Sequence, residues 1–171
     1  AKYLCIPKKT AESEIRSFKG LPHRLAYVGS FGGIRFYNDS LATIPEATIH
    51  ALQILGDVVE TLMLGGSDRG ISFDGLAKSL QKSDVKTIIL FPPSGKRIKT
   101  AIKKMQNAKI KFQIFEIRDM RKAVKLAYKH TTRGKICLLS PASPSFGIFR
   151  DYADRGEQFV KCIQLFSKKK Y

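Results

Sequence analysis

Short apolar runs that alternate with helix-like stretches constrain this chain most. Residues 58–64, 85–91 and 135–139 are almost continuously apolar, and each is bounded by polar or glycine-containing segments. A strand that faces water on one side alternates polar and apolar residues, so continuous apolar runs indicate strands covered on both faces. Because helix patterns separate these runs, the sequence predicts an α/β fold with a mostly parallel sheet and helices on both faces.

A β-hairpin is predicted ahead of this alternating region. The β-prone runs 25–28 and 34–37 are separated by Gly29-Ser-Phe-Gly-Gly33, a spacing typical of a hairpin with a glycine-rich loop. The remaining periodicities predict a further strand and six helices, over residues 110–117 and over residues 10–18, 45–55, 73–80, 94–105, 119–130 and 155–166. Thr10 and Asp119 are the predicted caps of the first and fifth helices.

Composition indicates one soluble domain. The 171 residues suffice for a full core, and no apolar run approaches the roughly 20 residues of a membrane span. Cys5, Cys137 and Cys162 are far apart and lack the spacing of a zinc site, so we expect a buried thiol at Cys137 and a reducing, cytoplasmic location.

The positive charge is unevenly distributed. The formal net charge is +17, and residues 78–135 hold 17 Lys and Arg against Asp84, Glu116 and Asp119, a local net of +14. The favoured interpretation is a solvated lysine-rich surface. The alternative is a basic module that binds nucleic acid or another polyanion, although few aromatic residues are interleaved with the charges.

Three polar loops follow three of the predicted strands. They span residues 38–43, 65–70 and 140–145. Ligands of parallel α/β sheets bind beyond the carboxyl ends of the strands. We therefore predict that these loops form one shared site.

The first loop has the features of an anion-binding helix start. Asp39, Ser40 and Thr43 precede a helix pattern, and Thr43 with Glu46 matches a capping box. Pro45 suits the first helical turn. A helix N-terminus points free N–H groups outward, which favours anionic ligands.

The other two loops offer a cation and hydroxyl groups. Arg69, in Gly65-Gly-Ser-Asp-Arg-Gly70, could grip a carboxylate with two hydrogen bonds. Residues 140–146 carry three serines held by two prolines. Each loop taken alone could equally be an ordinary turn. No serine nucleophile, acid–base carboxylate pair or metal cluster is predicted.

Together these stretches are more specific than any one of them. The combination resembles the C-terminal domain of the Mur ligases, and most closely those members that add D-glutamate. The resemblance covers nearly the whole chain from Phe18 onward and rests on Phe18-Lys-Gly-Leu-Pro-His-Arg24, Phe36-Tyr-Asn-Asp-Ser-Leu-Ala-Thr43, Leu64-Gly-Gly-Ser-Asp-Arg-Gly70, Leu138-Leu-Ser-Pro-Ala-Ser-Pro-Ser-Phe146 and Arg155-Gly-Glu157.

The resemblance implies a Rossmann-like domain of an ATP-dependent, ADP-forming amide ligase of peptidoglycan synthesis. Such an enzyme adds D-glutamate to UDP-N-acetylmuramoyl-L-alanine, and ATP with Mg²⁺ is held mainly by a central domain. Residues 1–20 would be the end of that domain or a linker, and residues 21–171 the amino-acid-binding domain. Since no ATP-binding glycine loop is present in these 171 residues, we expect the chain alone to be inactive.

The resemblance also assigns site residues by motif position. Arg24 would contact ATP phosphate, and Asp39 the ribose side of the nucleotide. Thr43 and Arg69 would hold the α-carboxylate end of D-glutamate. Its side-chain carboxylate would be held by two further positions, namely Ser145 and the backbone near Tyr152.

Three features of the sequence depart from the family pattern. Leu41 and Arg69 stand where the family usually has lysine, and residues 142–144 read Ala-Ser-Pro instead of a triplet such as Ala-Cys-Ala. Arginine keeps the charge of lysine but changes its geometry. A sibling Mur ligase or a folylpolyglutamate-type ligase therefore stays the nearest enzyme alternative.

Overall fold

The computed structural model describes residues 5–105 and 112–167, which form one six-stranded sheet and its covering helices. The strands are β1 (Ala26–Phe31), β2 (Ile34–Asn38), β3 (Val59–Gly65), β4 (Thr87–Phe91), β5 (Gln113–Glu116) and β6 (Ile136–Leu139). The helices are α1 (Lys8–Ser17), α2 (Pro45–Leu55), α3 (Asp74–Leu80), α4 (Ser94–Met105), α5 (Met120–His130) and α6 (Tyr152–Ser167), with a short 3-10 turn at Gly56–Val58.

The sheet has the order β1-β2-β6-β3-β4-β5. β1 and β2 form the predicted antiparallel hairpin, and every other neighbouring pair is parallel. The predicted fold class is confirmed. The last strand in sequence, β6, lies between β2 and β3, so the two halves of the chain share the centre of the sheet.

Helices cover both faces because side chains of each central strand alternate between two cores. Leu62 and Leu64 of β3 pack with α2, α3 and α4, whereas Met63 packs with α5 and α6 on the opposite face. All seven residues of β3 are buried. Each large apolar side chain removed from water stabilises the fold by about 1.5–3 kcal/mol.

Three helix N-termini differ from the sequence predictions, α2 in its cap and α1 and α6 in their first residue. α2 begins at Pro45 with Ile44 as its N-cap and without a side-chain cap, so the predicted capping box from Thr43 is wrong. Ile44 is extended (φ −134°, ψ 154°) because a residue before proline is excluded from the helical region. α1 is preceded by Pro7, which makes Thr10 an internal residue and not a cap. α6 begins at Tyr152, three residues before the predicted start.

Other predictions are confirmed. α4 spans the predicted residues, and Asp119 caps α5 by accepting a hydrogen bond from the Lys122 N–H at 2.7 Å. Cys137 is a buried free thiol whose pKa is raised by burial. The first part of the strand predicted over 110–117 lies outside the described residues, as does the tail 168–170. Within the described part, no helix is long and apolar enough to span a membrane.

Candidate functional site

The candidate site lies at the carboxyl edge of the sheet, where the chain leaves neighbouring strands in opposite directions. β3 is followed by α3 on one face, and β6 by α6 on the other. In doubly wound sheets, ligands usually bind at such a reversal of strand order, beyond the ends of the two strands. Loops 65–70 and 140–146 follow these two strands, and loop 38–43 follows β2, on the other side of β6.

Backbone hydrogen bonds join the loops that follow β3 and β6. Gly65 N donates to Pro141 O and Ser67 N to Pro144 O, both at 2.7 Å. Gly66 has φ +150°, and a Cβ there would overlap the Pro144 carbonyl oxygen. The glycine pair therefore permits close approach of two backbones within the domain.

Ser94, at the start of α4, connects the end of a fourth strand, β4, to the loops after β3 and β6. Its hydroxyl accepts a hydrogen bond from Gly66 N at 3.0 Å and lies 2.8 Å from Ser143 Oγ. Both serines are buried. Sequence reasoning missed Ser94, although its place just after β4 could have revealed it by the rule applied to the other loops.

Asp39, a residue of the first loop, is the centre of a polar cluster. Its side chain is 1% exposed, accepting hydrogen bonds from Leu25 N at 3.1 Å and Ser140 Oγ at 2.7 Å. Arg24 lies 3.9 Å from the same carboxylate. Burial raises the pKa of Asp39, while Ser140, Leu25 and Arg24 oppose that rise by favouring the charged form.

Arg24 is held between two residues with strained backbones. His23 and Leu25 have φ of +60° and +44°, values rarely adopted by residues other than glycine. His23 packs closely against α6: its Nδ1 is 3.0 Å from Asn38 Nδ2, and a Cβ at Gly156 would overlap the same nitrogen. These contacts fix the chain on both sides of Arg24, whose side chain is 44% exposed.

Arg97 of α4 holds the loop that carries Arg69. Its guanidinium donates to Asp68 Oδ1 at 2.6 Å and to the carbonyl oxygens of Gly70 and Ile71. The hydrogen bond from the Gly70 N–H lowers the pKa of Asp68, and Arg97 lowers it further by a smaller amount. Arg69 itself is exposed. Sequence reasoning treated Arg97 only as part of the basic stretch, and no local signal marks its contact with this loop.

The remaining predicted residues lie around the same edge. Thr43 is half-buried ahead of α2, Ser145 is buried in the loop after β6, and Tyr152 is exposed at the start of α6. The Tyr152 carbonyl oxygen accepts a hydrogen bond from Ser40 Oγ at 2.7 Å. The contacts of the described residues join Arg24 to Asp39 directly, but not Thr43, Arg69 and Ser145 to one another.

Arg155 is a fully buried cation behind these loops. Its guanidinium donates to the hydroxyl and carbonyl oxygens of Ser40 and to the carbonyl oxygens of Gly65 and Ser143. Burial lowers its pKa to about 9, which leaves the group charged at neutral pH. The Arg155-Gly-Glu157 motif pointed to this position without indicating its function.

Within the described part of the stretch 78–135, the basic residues lie mainly on exposed helix surfaces. Several form ion pairs, among them Lys99 with Glu116 and Lys135 with Asp84. Within the described part of the chain, no group of three or more His, Cys, Asp or Glu side chains could hold a metal ion. These observations are those of the favoured interpretation, a solvated basic surface, and polyanion binding stays the untested alternative.

Fold and site together define a doubly wound α/β domain with polar, cation-bearing loops at its carboxyl edge. The family described as "Mur ligase, glutamate ligase domain" matches residues 23–143. The chain is 37% identical over 154 residues to the UDP-N-acetylmuramoylalanine–D-glutamate ligase of Aquifex aeolicus, covering 90% of this chain and 35% of that protein. It is 34% identical to the UDP-N-acetylmuramoyl-L-alanine–L-glutamate ligase of Salinispora tropica, covering 92% and 34%.

Solved structures share the fold. The UDP-N-acetylmuramate-alanine ligase of Thermotoga maritima superposes with a TM-score of 0.62 at 15% identity, over 96% of this chain and 35% of that one. The folylpolyglutamate synthase of Mycobacterium tuberculosis superposes with a TM-score of 0.54 at 10% identity, over 97% and 36%. The chain belongs to the Mur ligase family, as a glutamate ligase domain, and spans about a third of the length of the curated relatives it matches.

Proposed function

We propose that this chain is the amino-acid-binding domain of an ATP-dependent, ADP-forming ligase that adds D-glutamate to UDP-N-acetylmuramoyl-L-alanine in peptidoglycan synthesis. The observation that carries the proposal is the match of residues 23–143 to the glutamate ligase domain, with the matched loops meeting at one sheet edge. The Aquifex aeolicus and Caldanaerobacter subterraneus relatives, each 37% identical, are both D-glutamate ligases by name.

The loops supply the chemistry that a dicarboxylate requires. Arg69 is an exposed cation on a loop fixed by Arg97, and an arginine can grip a carboxylate with two parallel hydrogen bonds. We assign the α-carboxylate to Arg69 and Thr43, and the side-chain carboxylate to Ser145 with the backbone near Tyr152. The α2 N-terminus beside Thr43 adds N–H groups that favour an anion.

Arg24 suits a role on the ATP side. Its side chain is partly exposed, and the buried Asp39 carboxylate lies behind it, which restricts the directions in which the guanidinium can point. When bound, ATP would supply the phosphoryl group that activates the acceptor carboxylate. The contact of Asp39 with the ribose side stays a prediction, and the cluster around Asp39 gives it a second role in positioning Arg24.

Mg²⁺ and most of the ATP contacts are assigned to the part of the ligase outside these 171 residues. The domain receives the incoming amino acid and would close over ATP held elsewhere. We expect the isolated chain to be inactive in ligation, and ATP-dependent product from it alone would contradict that expectation.

Ligation by the full-length protein tests the proposal. We expect ADP release that requires UDP-N-acetylmuramoyl-L-alanine and D-glutamate together, measured by a coupled assay. Arg69→Ala should raise the KM for glutamate about tenfold or more, since one charged hydrogen-bonding partner is lost. Arg69→Lys, which restores the usual family residue, should stay near wild type. No turnover with any amino acid would overturn the proposal.

The stereochemistry of the amino acid needs its own comparison. An L-glutamate ligase is 34% identical to this chain, so identity alone does not separate the two isomers. Parallel assays with D-glutamate, L-glutamate, L-alanine and a folate-type acceptor distinguish the D-glutamate ligase from its siblings and from a folylpolyglutamate-type enzyme. We expect the highest kcat/KM for D-glutamate, and a preference for another amino acid would refute this specificity.

A further inference from the structure

We propose that Arg155 is a positioning residue for the incoming amino acid: it holds three site loops together and places beneath them a positive charge that no ion pair of the described residues includes. This inference rests on the proposed function, because it concerns the same amino-acid site. The family resemblance assigned no role to this residue.

The contacts of Arg155 reach the loops after β2, β3 and β6. Nε donates to Ser40 Oγ at 2.9 Å and Nη2 to Ser40 O at 2.8 Å. Nη1 donates to Ser143 O at 3.0 Å and, more weakly, to Gly65 O at 3.4 Å. One planar group thus sets the separation of the loops after β2, β3 and β6.

Arg155 also fixes the start of its own helix. Ser40 Oγ accepts a hydrogen bond from Arg155 and donates one to the Tyr152 carbonyl oxygen. Tyr152 is part of the backbone assigned to the side-chain carboxylate of glutamate. The same hydroxyl therefore couples the position of that backbone to the buried guanidinium.

All the described partners of Arg155 are neutral oxygens. The side chain is 0% exposed, and no ion pair among the described residues includes it. The carboxylate of Asp39, which precedes Ser40 in the chain, accepts hydrogen bonds from Leu25 and Ser140. A buried charge without a counter-ion is costly. An anionic ligand at the loop surface would lower that cost, which favours a dicarboxylate over a neutral amino acid.

A purely structural role would predict a different kinetic result. Loss of a structural residue lowers the fraction of folded enzyme and reduces kcat equally for every substrate. Loss of a positioning residue raises the KM for the amino acid and leaves the KM for UDP-N-acetylmuramoyl-L-alanine unchanged. Comparison of glutamate with glutamine, which lacks the second carboxylate, isolates the contribution of charge.

The experiment uses the full-length ligase with Arg155→Lys, Arg155→Met and Ser40→Ala. We expect Arg155→Met to raise the KM for glutamate about tenfold or more, the loss expected for charged hydrogen bonds, and to reduce the preference for glutamate over glutamine. Arg155→Lys should restore that preference in part. Ser40→Ala keeps the cation but loses its link to Tyr152, so it should raise the KM for glutamate less than Arg155→Met does.

Arg150→Met is the matched control. Arg150 lies just before α6, its side chain is 78% exposed, and it pairs with Asp151. We expect unchanged kinetics for this variant. If Arg155→Met does not fold, Arg155→Lys and Ser40→Ala decide the result.

Two outcomes separate the inference from the proposed function. Wild-type ligase without glutamate-dependent turnover would refute the proposed function. Active wild type whose Arg155 and Ser40 variants keep the KM for glutamate and the glutamate preference of wild type would overturn the role of Arg155 alone.

Discussion

Ser140 Oγ donates a 2.7 Å hydrogen bond to Asp39 Oδ2, although the two residues are 101 positions apart in the chain. The Ser140 hydroxyl also lies 3.0 Å from Thr48 Oγ1, and Thr48 donates to the Ser140 carbonyl oxygen. This buried cluster joins the loop after β2, the first turns of α2 and the loop after β6. Because Asp39 belongs to this cluster and lies 3.9 Å from Arg24, the cluster helps to fix both predicted ATP-side residues.

Asp39→Asn should change how stability depends on pH. The folded-state pKa of Asp39 is raised, so the folded protein holds this proton more tightly than the unfolded chain does, whose value is near 3.8. Wild-type stability should therefore fall as pH rises through the folded pKa. The free energy of unfolding should fall by about 1.4 kcal/mol for each unit by which the folded pKa exceeds the unfolded pKa. Asp39→Asn should lack this decrease in urea unfolding series.

Ser140→Ala provides the matched comparison for Asp39. It removes a hydrogen bond to the charged carboxylate, so the pKa of Asp39 should rise further and the decrease with pH should become larger. The contrary outcome is a wild-type stability that increases with pH over this range when that of Asp39→Asn is subtracted. It would show that folding lowers the pKa of Asp39.

Gly66→Ala and Gly70→Ala should differ in their effects on folding. Both glycines have positive φ, +150° and +73°, but a Cβ at Gly66 would overlap Pro144 O whereas the space around Gly70 is open. We expect Gly70→Ala to cost about 1–2 kcal/mol, the usual penalty for a left-handed residue. Gly66→Ala should cost clearly more, since backbone must move. Equal losses in unfolding free energy would contradict the close packing of Gly66 on Pro144.

Ser94→Ala should destabilise the fold at the loop after β3 by leaving the buried Gly66 N–H without its acceptor. The Gly66 N–H donates to Ser94 Oγ, and its loss should cost about 1–3 kcal/mol. Ser17→Ala, which removes an exposed hydroxyl bonded to Glu14 O, is the control and should cost little. Chemical denaturation measures both, and a loss as small as that of the control would show that Ser94 does not support the loop.

Glu60→Gln should remove a pH dependence of stability whose sign is opposite to that contributed by Asp39. Burial alone would raise the pKa of Glu60, but Lys86 and the Thr132 N–H outweigh it, so the pKa lies below the usual value of 4.5. This stabilisation is present above pH 4.5 and is lost as pH falls through the folded pKa.

The expected cost of Glu60→Gln is about 1–3 kcal/mol at neutral pH, decreasing in acid. Lys86→Met should cost less, because the Lys86 side chain is 70% exposed and such pairs are worth little. A Glu60→Gln penalty that is independent of pH would refute the assignment of the carboxylate charge. Urea unfolding of both variants between about pH 3 and pH 7 measures the difference.

The parts of the fold that sequence predicted are those set by local pattern. The apolar run 58–64 was long and continuous enough to indicate a strand covered on both faces of the sheet, and all of β3 is buried. The cap at Asp119 was predicted correctly because capping depends on adjacent residues. The capping box at Thr43 failed for an equally local reason: Pro45 forces Ile44, not Thr43, into the cap position.

The sequence by itself determined the order of strands and helices, the edge where the polar loops gather and the residues that resemble a glutamate ligase domain. Only the tertiary structure decided the insertion of β6 between β2 and β3, the support of Asp39 by Ser140 and the reach of Arg155 to Ser40 across 115 positions. Periodicity records which side of an element is buried. It does not record which distant element lies opposite, because strand order and helix placement follow from packing of the whole core.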